Sequence, residues 1–328
     1  MKRKYIKGIS NAKYGYMFSL PFIITFLIFS LYPTIYTALL GFTDCQGAGN
    51  DEWHILEEPL ANFKLVLTNG TFVRAIFNTV RIWIMNFIPQ ITLAMVLTAW
   101  FTTKRNAIKG QGFFKVVFYM PNIITAATIA ILFQALFGYP TGPINDLLVS
   151  SGILESSYDF SVDKTASRWT VAFIQFWTWY GYTMIILVSG VLGINPDIYE
   201  AADIDGANGV QTFFQITLPN LKTILLYTLI TSLIGGLNMF DIPYLYLGGG
   251  PDQATNTANV FIYKQAFTGR NFYNRAAAAS MVMFVLICLC SLAVFYVMRD
   301  KEAAEFKKMK KLEQKAASKN RLGARNVW

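Results

Sequence analysis

The chain offers few residues whose type and spacing could do chemistry. His54 is its single histidine, and no carboxylate or cysteine lies beside it at metal-ligand spacing. The glycine triplet Gly248–Gly250 could cradle a phosphate, but Pro251 follows it, and the phosphate-loop pattern G-x-x-x-x-G-K-S/T does not occur in the sequence. We therefore predict no catalytic residue, no metal site and no nucleotide or other cofactor bound by this chain, which is not expected to be an enzyme.

A second candidate is the acidic stretch EAADIDGANGVQTFFQITLP, Glu200–Pro219. Asn195 followed by Pro196 predicts the start of a helix, because asparagine caps free amides and proline at the first helical position loses no hydrogen bond. Gly206 allows a turn, and the apolar residues after it need a cover of lipid or protein. The pattern predicts a helix–turn–helix elbow over residues 195–219. From the residues alone, a docking surface and an ordinary solvated connection remain equally open.

Polar side chains inside apolar runs form a third set of candidates, because burying them in a membrane is costly and they often mark a substrate pathway. Aromatic faces combined with amides would suit a neutral sugar, although both also serve membrane interfaces and helix contacts. Gly235 and Gly236 would let a substrate approach the backbone, and Asp241 is expected near the outer mouth, where it would contact a partner or a gate. The predicted pathway residues are Gln134, Gln175, Trp177, Tyr180, Asn238, Phe240, Asp241 and Tyr244, with Asn86 and Gln90 as further intramembrane amides.

Composition and length define the elements that carry these residues. The net charge of the 328-residue chain is +9, 54% of the residues are hydrophobic, and only 14% are charged, against about 25% in soluble domains. A membrane-spanning helix needs about 20 mostly apolar residues. We predict an all-α, polytopic helical membrane protein with six spans, at about Met17–Phe42, Ile76–Phe101, Phe113–Phe137, Trp169–Leu192, Leu221–Leu247 and Ala276–Met298.

The distribution of charge predicts how the spans are oriented. Basic residues concentrate in the N-terminal tail (1–13), in the connection near Lys104 and in the C-terminal tail (299–328), whereas the first and third connections are acidic. Because lysine and arginine favour the inside face, both termini are expected in the cytoplasm, with residues 14–298 forming the transmembrane domain. The elbow then lies inside as well, where its acids break the charge bias. The basic C-terminal tail is expected to contact anionic lipid.

Several motifs match those of a known family. Glu200-Ala201-Ala202, then Gly206, then Ile216 with Leu218-Pro219 resemble the EAA signature of the membrane subunits of ABC importers. Over residues 14–300 the chain is similar to carbohydrate-uptake permeases of the type of the first membrane subunit of the maltose transporter, in their short six-helix form. Further matching motifs are FYMP at 118–121, GPIN at 142–145, and FD at 240–241 followed by GGGP at 248–251.

The resemblance implies an ABC type I importer transmembrane domain in a bacterial or archaeal cytoplasmic membrane. Its implied partners are a second homologous permease, two copies of a cytoplasmic ABC ATPase that bind ATP and Mg, an extracellular or periplasmic substrate-binding protein, membrane lipid and a di- or oligosaccharide, with no nucleic acid. The elbow would dock in a cleft of the ATPase. The implied coupling residues are Glu200, Ala201, Ala202, Asp205, Gly206, Ile216, Leu218 and Pro219.

The residues alone also allow an ATP-independent secondary transporter or channel, or a membrane scaffold that recruits a partner through the elbow. Secondary transporters often carry intramembrane charged groups, whereas Asp241 stands nearly alone inside the predicted spans. Within the family, a glycerol-phosphate or polyol permease is an alternative to a sugar permease. The importer interpretation is favoured because a self-sufficient transporter would have no use for a docking elbow.

Overall fold

The structure is built almost entirely of helices. The computed structural model describes residues 12–47, 53–102, 109–269 and 271–298, and within these ranges there is no strand, only one antiparallel bridge between Thr43 and Ile55. The predicted basic tails, apart from residues 12 and 13, and the basic connection near Lys104 lie outside the described residues. The helices are α1 (Ala12–Phe26), α2 (Tyr32–Leu40), α3 (Ala61–Thr68), α4 (Gly70–Thr102), α5 (Gln111–Tyr119), α6 (Ala126–Leu136), α7 (Pro143–Ser150), α8 (Lys164–Leu192), α9 (Pro196–Ile204), α10 (Gly209–Gln211), α11 (Leu218–Asn220), α12 (Lys222–Leu237), α13 (Asp241–Leu247), α14 (Ala258–Phe267) and α15 (Tyr273–Met298).

Five helical segments are long and apolar enough to cross a membrane, and a bent pair brings the number to six if it forms one span. Each predicted span overlaps one of these segments, and the prediction of an all-α, polytopic membrane protein is confirmed. The segments are Lys13–Leu40, Gly70–Thr102, Lys164–Leu192, Lys222–Leu247 and Tyr273–Met298, with the bent pair formed by Gln111–Ile123 and Ala126–Leu136.

The third predicted span, Phe113–Phe137, is not straight. Its two halves differ in direction by 94°. The first half ends in a 3-10 turn at Met120–Ile123, and Ile124 is extended, with φ −72° and ψ 137°. Pro121 explains why regular α-helical bonding ends here, because proline offers no amide hydrogen to the carbonyl group four residues earlier. Met120 before it remains helical, with φ −53° and ψ −40°.

Proline also shapes the first span. Between α1 and α2 the helix widens into a π turn at Leu27–Leu31, and Pro33 follows in the first turn of α2. Pro33 cannot donate to the carbonyl four residues earlier, which lies inside the π turn, so the regular hydrogen-bond pattern shifts there. The side chains of residues 13–36 are exposed, which suits a helix that faces lipid.

The described residues form two compact units. The first unit contains the described residues within Met1–Arg81, Phe137–Arg168 and Asn238–Leu286. Its interior includes the ring pair of Phe72 on α4 and Phe261 on α14, whose centroids lie 5.2 Å apart. The connection after α2 is fixed by Asn62, whose buried amide nitrogen donates to two carbonyl oxygens of the turn, those of Gly41 at 3.0 Å and Thr43 at 2.8 Å.

The second unit contains the described residues within Ile82–Leu136, Trp169–Leu237 and Ile287–Trp328. Its core lies between α4 and α8, where the Gln90 side chain donates to the Thr183 hydroxyl at 2.7 Å. Gly181 on α8 lets the break of the third span approach, because a Cβ there would overlap the carbonyl group of Phe118. The buried apolar residues of this core between α4 and α8 are Ala94, Leu97, Phe101, Tyr180, Met184, Leu187 and Val188.

Gly236, near the end of α12, is covered by the indole ring of Trp83 on α4. The ring lies so close that a Cβ on Gly236 would overlap the Trp83 Cδ1 atom, and the indole Nε1 donates to the Ser232 hydroxyl at 3.2 Å. The neighbouring Gly235 has no atom within 4 Å of the position of a Cβ. The close approach predicted at this glycine pair is therefore made by a tryptophan of the same unit.

This contrast predicts the effect of adding one methyl group. Gly236→Ala should lower the stability of the purified protein by about 1–3 kcal/mol, because the tryptophan must move. Gly235→Ala should leave stability unchanged or raise it by up to about 1 kcal/mol, since alanine favours helix. The measurement is thermal unfolding of both variants in the same detergent. Equal melting temperatures for the two variants would contradict the packing role of Gly236.

Candidate functional site

The elbow begins with a capped helix. The Asn195 side-chain oxygen accepts a hydrogen bond from the Asp197 amide at 3.1 Å, and Pro196 occupies the first position of α9. Asp197 lies in the first turn, where a negative charge is favoured by the positive end of the helix dipole. The predicted helix start is therefore present, with the predicted cap.

Gly206 ends α9 in a left-handed turn. Its φ is +75°, its amide donates to the Asp203 carbonyl at 3.2 Å, and the Ala207 amide donates to the Ala202 carbonyl at 3.0 Å. This pair of bonds is the Schellman motif, which satisfies the last carbonyl groups of a helix and favours glycine at its left-handed position. A Cβ on Gly206 would meet no atom within 4 Å. The residue is thus required by backbone conformation, and the space outside it is open.

The second arm of the elbow starts at once. Asn208 and Gln211 form a capping box, in which each side-chain oxygen accepts from the backbone amide of the other at 2.9 Å. A wide π turn at Thr212–Thr217 follows and leads into α11, which contains Pro219. A proline in this position cannot donate to an earlier carbonyl group, so it marks the change into the next span.

The two arms are joined by a hydrogen bond between the hydroxyl groups of Tyr199 and Thr217, 3.2 Å apart. Thr217 and Ala202 are buried at this junction. Of the predicted coupling residues, Glu200, Ala201, Asp205, Gly206 and Pro219 are exposed, Ile216 and Leu218 are half-buried, and Ala202 faces inward.

The outward surface of the elbow combines apolar side chains with acids. Ile204 is 86% exposed, Val210 68% and Phe214 61%. Helical spacing puts Ile204 on the same face of α9 as Glu200 and Ala201. The helical period therefore contained the signal for Ile204, but the sequence prediction did not include this residue. We name the set Glu200, Ala201, Ile204, Asp205, Gly206, Val210 and Phe214 the elbow surface.

The acids of the elbow have no ion-pair partner in the part of the chain that the structure describes. The ion pairs there join Asp44 to His54, Glu58 to Lys64, and Asp252 to Arg74 and Lys164. Four exposed carboxylates therefore stand beside exposed apolar residues, an arrangement that favours a partner with basic groups around an apolar cleft. The carboxylates are those of Asp197, Glu200, Asp203 and Asp205.

The elbow is held between the ends of two spans. Gly190, in the last turns of α8, lies against Leu221 and Ile224 at the start of α12, and a Cβ on Gly190 would lie 2.8 Å from the Leu221 Cδ2 atom. Leu221 is buried. Since α8 and α12 meet directly at the base of the elbow, a force on the elbow acts on both spans.

The predicted pathway residues of the second unit differ in burial and in contacts. Tyr180 is buried in the core between α4 and α8, and the Trp177 ring lies 5.4 Å from that of Phe133. Gln175 is buried, whereas Gln134 on α6 is exposed. The side-chain amides of Gln90 and Asn86 also form hydrogen bonds within this unit. Gln90 donates to the Thr183 hydroxyl, and Asn86 donates to the Ile82 carbonyl at 3.1 Å.

The predicted pathway residues of the first unit come together at a break in the fifth span. Helix α12 ends at Leu237 and α13 begins at Asp241, which is exposed. The backbone carbonyls freed by the break accept hydrogen bonds from side chains at α14. The Asn259 side-chain nitrogen donates to the Asn238 carbonyl, and the Thr257 hydroxyl donates to the Met239 carbonyl, each at 2.8 Å.

An aromatic cluster lines this break. The Phe240 ring stacks on Tyr244 with centroids 5.1 Å apart, and the Tyr263 ring lies 5.0 Å from Phe240 and 4.8 Å from Tyr244. Tyr263 and Asn259 were missed by the sequence analysis, because they belong to α14, which is short and carries no pathway signal of its own. Within the described residues, no three histidine, cysteine, aspartate or glutamate side chains form a group that could hold a metal ion.

Five or six apolar spans, two of them broken, together with an exposed acidic elbow, define a multi-pass helical membrane protein. The chain belongs to the family of binding-protein-dependent transport system inner membrane components, whose sequence profile matches residues 65–301. The predicted family is thereby confirmed.

Individual relatives are similar in sequence to this chain over most of its length. It is 28% identical to the lactose transport system permease protein LacF of Rhizobium radiobacter, over 88% of this chain and 95% of the relative. It is 29% identical to the multiple sugar-binding transport system permease protein MsmF of Streptococcus mutans, over 87% and 95%. Its fold is similar to a chain of a bacterial ABC transporter involved in the import of the acidic polysaccharide alginate, with a TM-score of 0.72, 24% identity, and coverage of 89% of this chain and 97% of that one.

The turn at Gly206 gives a local prediction. Gly206→Ala forces a side chain into the left-handed region at a cost of about 1 kcal/mol or more. The amides of Asp205 and Ala207 should then exchange with deuterium about fivefold faster, because the end of α9 opens more often.

Gly209→Ala is the matched control for this experiment. Gly209 has no positive φ and also has no atom within 4 Å of a Cβ position. Exchange at α9 should be unchanged in that variant. Equal exchange rates in Gly206→Ala and Gly209→Ala would show that the glycine is not needed for the turn.

Proposed function

We propose that the chain is one of two membrane subunits of an ATP-driven ABC importer for a di- or oligosaccharide, and that the elbow surface docks to the ATPase. The observation that carries this proposal is the elbow itself. It occupies the EAA position of the sequence, and it exposes Ile204, Val210 and Phe214 beside acids with no ion-pair partner among the described residues. Exposed apolar groups on a polar connection favour a protein partner.

The substrate class rests on the named relatives and on the broken fifth span. A lactose permease matches this chain over 88% of its length and a multiple-sugar permease over 87%. The cluster of Phe240, Tyr244 and Tyr263 offers aromatic faces beside the side chains of Asn259 and Asp241, a combination that suits a neutral polyhydroxyl ligand. A glycerol-phosphate or polyol substrate is the alternative within the family.

The energy for transport is expected to come from another subunit. The sequence contains no phosphate-binding loop, so we assign ATP and Mg to a pair of cytoplasmic ATPases and no enzymatic activity to this chain. A second, homologous permease and an extracellular or periplasmic substrate-binding protein complete the proposed assembly. The membrane is proposed to be a bacterial or archaeal cytoplasmic membrane, with both termini and the elbow inside.

The elbow offers a direct route for coupling. Docked in the ATPase, it would move when the two ATPases close on ATP. The Tyr199–Thr217 hydrogen bond keeps its arms together, and the contact of Gly190 with Leu221 joins α8 to α12 at its base. We propose that ATP-driven closure thereby shifts these two spans as one body between inward- and outward-facing states.

The proposal predicts which partners accompany the tagged chain when it is purified gently from its native membrane. Mass spectrometry should find one ATPase in two copies and one second permease. Gly206→Trp should retain the permease and lose the ATPase, because the indole occupies the open space outside the turn, and uptake should fall to background.

Two variants at the same position separate bulk from backbone strain. Gly206→Asn keeps a residue that tolerates the left-handed conformation and should retain the ATPase, and Gly206→Ala adds strain without bulk. Normal sugar uptake by Gly206→Trp would contradict the proposal that the elbow surface docks to the ATPase. Recovery of the wild-type chain alone, or only as a homo-oligomer, would favour a secondary transporter or a channel.

A separate prediction concerns the broken span. Phe240→Ala should raise the half-saturating sugar concentration for uptake by about tenfold, because it removes an aromatic face at the proposed pathway. The sugar is chosen by a thermal-shift screen of the substrate-binding protein.

Phe284→Ala serves as the control, since Phe284 is an exposed aromatic residue of α15 in the same unit. Phe240→Leu retains apolar bulk and tests whether the loss reflects packing. Equal half-saturating sugar concentrations in Phe240→Ala and Phe284→Ala would contradict a role of the aromatic cluster in the substrate pathway.

A further inference from the structure

The loop after α13 has an unusual backbone. Asp252 and Gln253 both adopt positive φ, 42° and 60°, although neither is a glycine, and both are exposed. A side chain is disfavoured in this region, so two such residues in succession require strong anchoring by their surroundings. We name residues 248–257 the outer loop.

The anchors lie on three helices. From α4, the Asn78 side chain donates to the Gln253 carbonyl at 2.7 Å. From α8, the Arg168 Nε donates to the Ala254 carbonyl at 3.0 Å, and from α14, Lys264 Nζ donates to the Gly248 carbonyl at 2.6 Å. The end of the loop, 254–257, is buried. The exposed tip is therefore held in one conformation by the body of the unit.

Cations surround this tip. Asp252 accepts from Lys164 at 2.5 Å and lies 3.5 Å from the guanidinium group of Arg74, and both lower the pKa of the Asp252 carboxyl, the hydrogen bond from Lys164 most strongly. On α4, Arg81 lies three residues after Asn78 and seven after Arg74, so the three side chains share the helix face that contacts the outer loop. The like charges of Arg74 and Arg81 also act on Arg168.

The positive charges exceed the negative ones at this place. Among the described residues, the acids that interact with Arg74, Arg81, Lys164 and Arg168, which we name the cationic cluster, are Asp252 and Asp163. Asp163 also caps α8 by accepting from the Thr165 and Ala166 amides. Arg81 is exposed and belongs to no ion pair in the described part of the chain. Such a cluster repels itself unless a partner supplies acids.

The cluster and the elbow lie toward opposite ends of one spanning helix. Helix α8 begins at Lys164, within the cluster, and ends at Leu192, three residues before Asn195. The ends of a membrane-spanning helix face opposite sides of the membrane. If the elbow meets the ATPase inside, the cationic cluster faces outside, where the positive-inside rule disfavours arginine and lysine.

We propose that the cationic cluster and the rigid tip of the outer loop form the surface on which the substrate-binding protein docks, through an acidic patch of that protein. This inference rests on the proposed function. Exposed ion pairs contribute little individually, so a small anion would gain little here. A large partner with several acids gains in association rate and in orientation, which exposed charges do supply.

The test uses the complete transporter, reconstituted in vesicles with its partner permease and ATPase. The probe is the purified, sugar-loaded substrate-binding protein, and the readout is its half-saturating concentration for stimulating ATP hydrolysis. Arg81→Glu should raise that concentration about tenfold, and added NaCl should raise it more steeply in the wild type than in Arg81→Gln. Arg81 is chosen because Arg74, Lys164 and Arg168 also hold the loop.

Lys64→Glu is the matched control, since it makes the same change of charge on an exposed lysine paired with Glu58 outside the cluster. It should leave half-saturation unchanged. If the Arg81→Glu variant fails to assemble into the transporter, the test uses Arg81→Gln. A smaller rise in the half-saturating concentration of the binding protein is then expected.

Equal half-saturation in Arg81→Glu and Lys64→Glu would overturn the docking surface alone. A loss confined to the maximal rate with an anionic sugar would also overturn it and assign the cluster to substrate. Absence of any stimulation in the wild-type complex would overturn the proposed function, and the docking surface with it.

Discussion

The constraint on which this structure depends is that backbone polar groups inside a bilayer must find partners within the protein. A continuous helix satisfies that requirement by itself, which is why long apolar runs become spans. A break does not, and the fifth span shows how the requirement is then met. The carbonyls of Asn238 and Met239 receive hydrogen bonds from Asn259 and Thr257, so the interruption is repaired by polar side chains of the following segment. Polar and aromatic groups collect there because the break needs them.

The elbow obeys a different rule, because a connection outside the bilayer can use water. Its stability comes from local sequence: an asparagine cap, a Schellman turn at Gly206 and a capping box. One long-range contact, the Tyr199–Thr217 hydrogen bond, fixes the arms to each other. Nothing in this architecture needs Ile204 to be exposed, and its exposure is the feature that a partner best explains.

Sequence reasoning was strongest where structure is local. Apolar length predicted all the spans approximately, and residue type predicted the cap at Asn195 and the turn at Gly206. It was weaker where distant residues meet. The bend at Pro121 divides a span that hydropathy alone made continuous, and Trp83 fills the space at Gly236 that the glycine pair was expected to leave for a substrate.

The candidate site divides in the same way. The exposed positions Glu200, Ala201 and Asp205 follow from the helix, but the inward direction of Ala202 depends on the second arm. Tyr263 joins Phe240 and Tyr244 only through the fold, since α14 lies about 20 residues further along the chain and crosses no membrane. The coupling and pathway roles of these residues stay predictions.

Two surfaces of the chain carry charges opposite in sign to those that the predicted orientation favours there. The positive-inside rule predicts an excess of lysine and arginine on the inner face of the membrane and fewer of them on the outer face. In the orientation predicted from its charges, the chain departs from that rule at two places, the acidic elbow after α8 and the cationic cluster around the start of α8. Each departure works against the orientation that the tails and connections predict. The elbow acids have no ion-pair partner among the described residues, and the four cations of the cluster are only partly balanced by Asp252 and Asp163. We propose one cause for both, namely that the opposite charge is supplied by another protein, through a basic cleft on one side of the membrane and an acidic patch on the other.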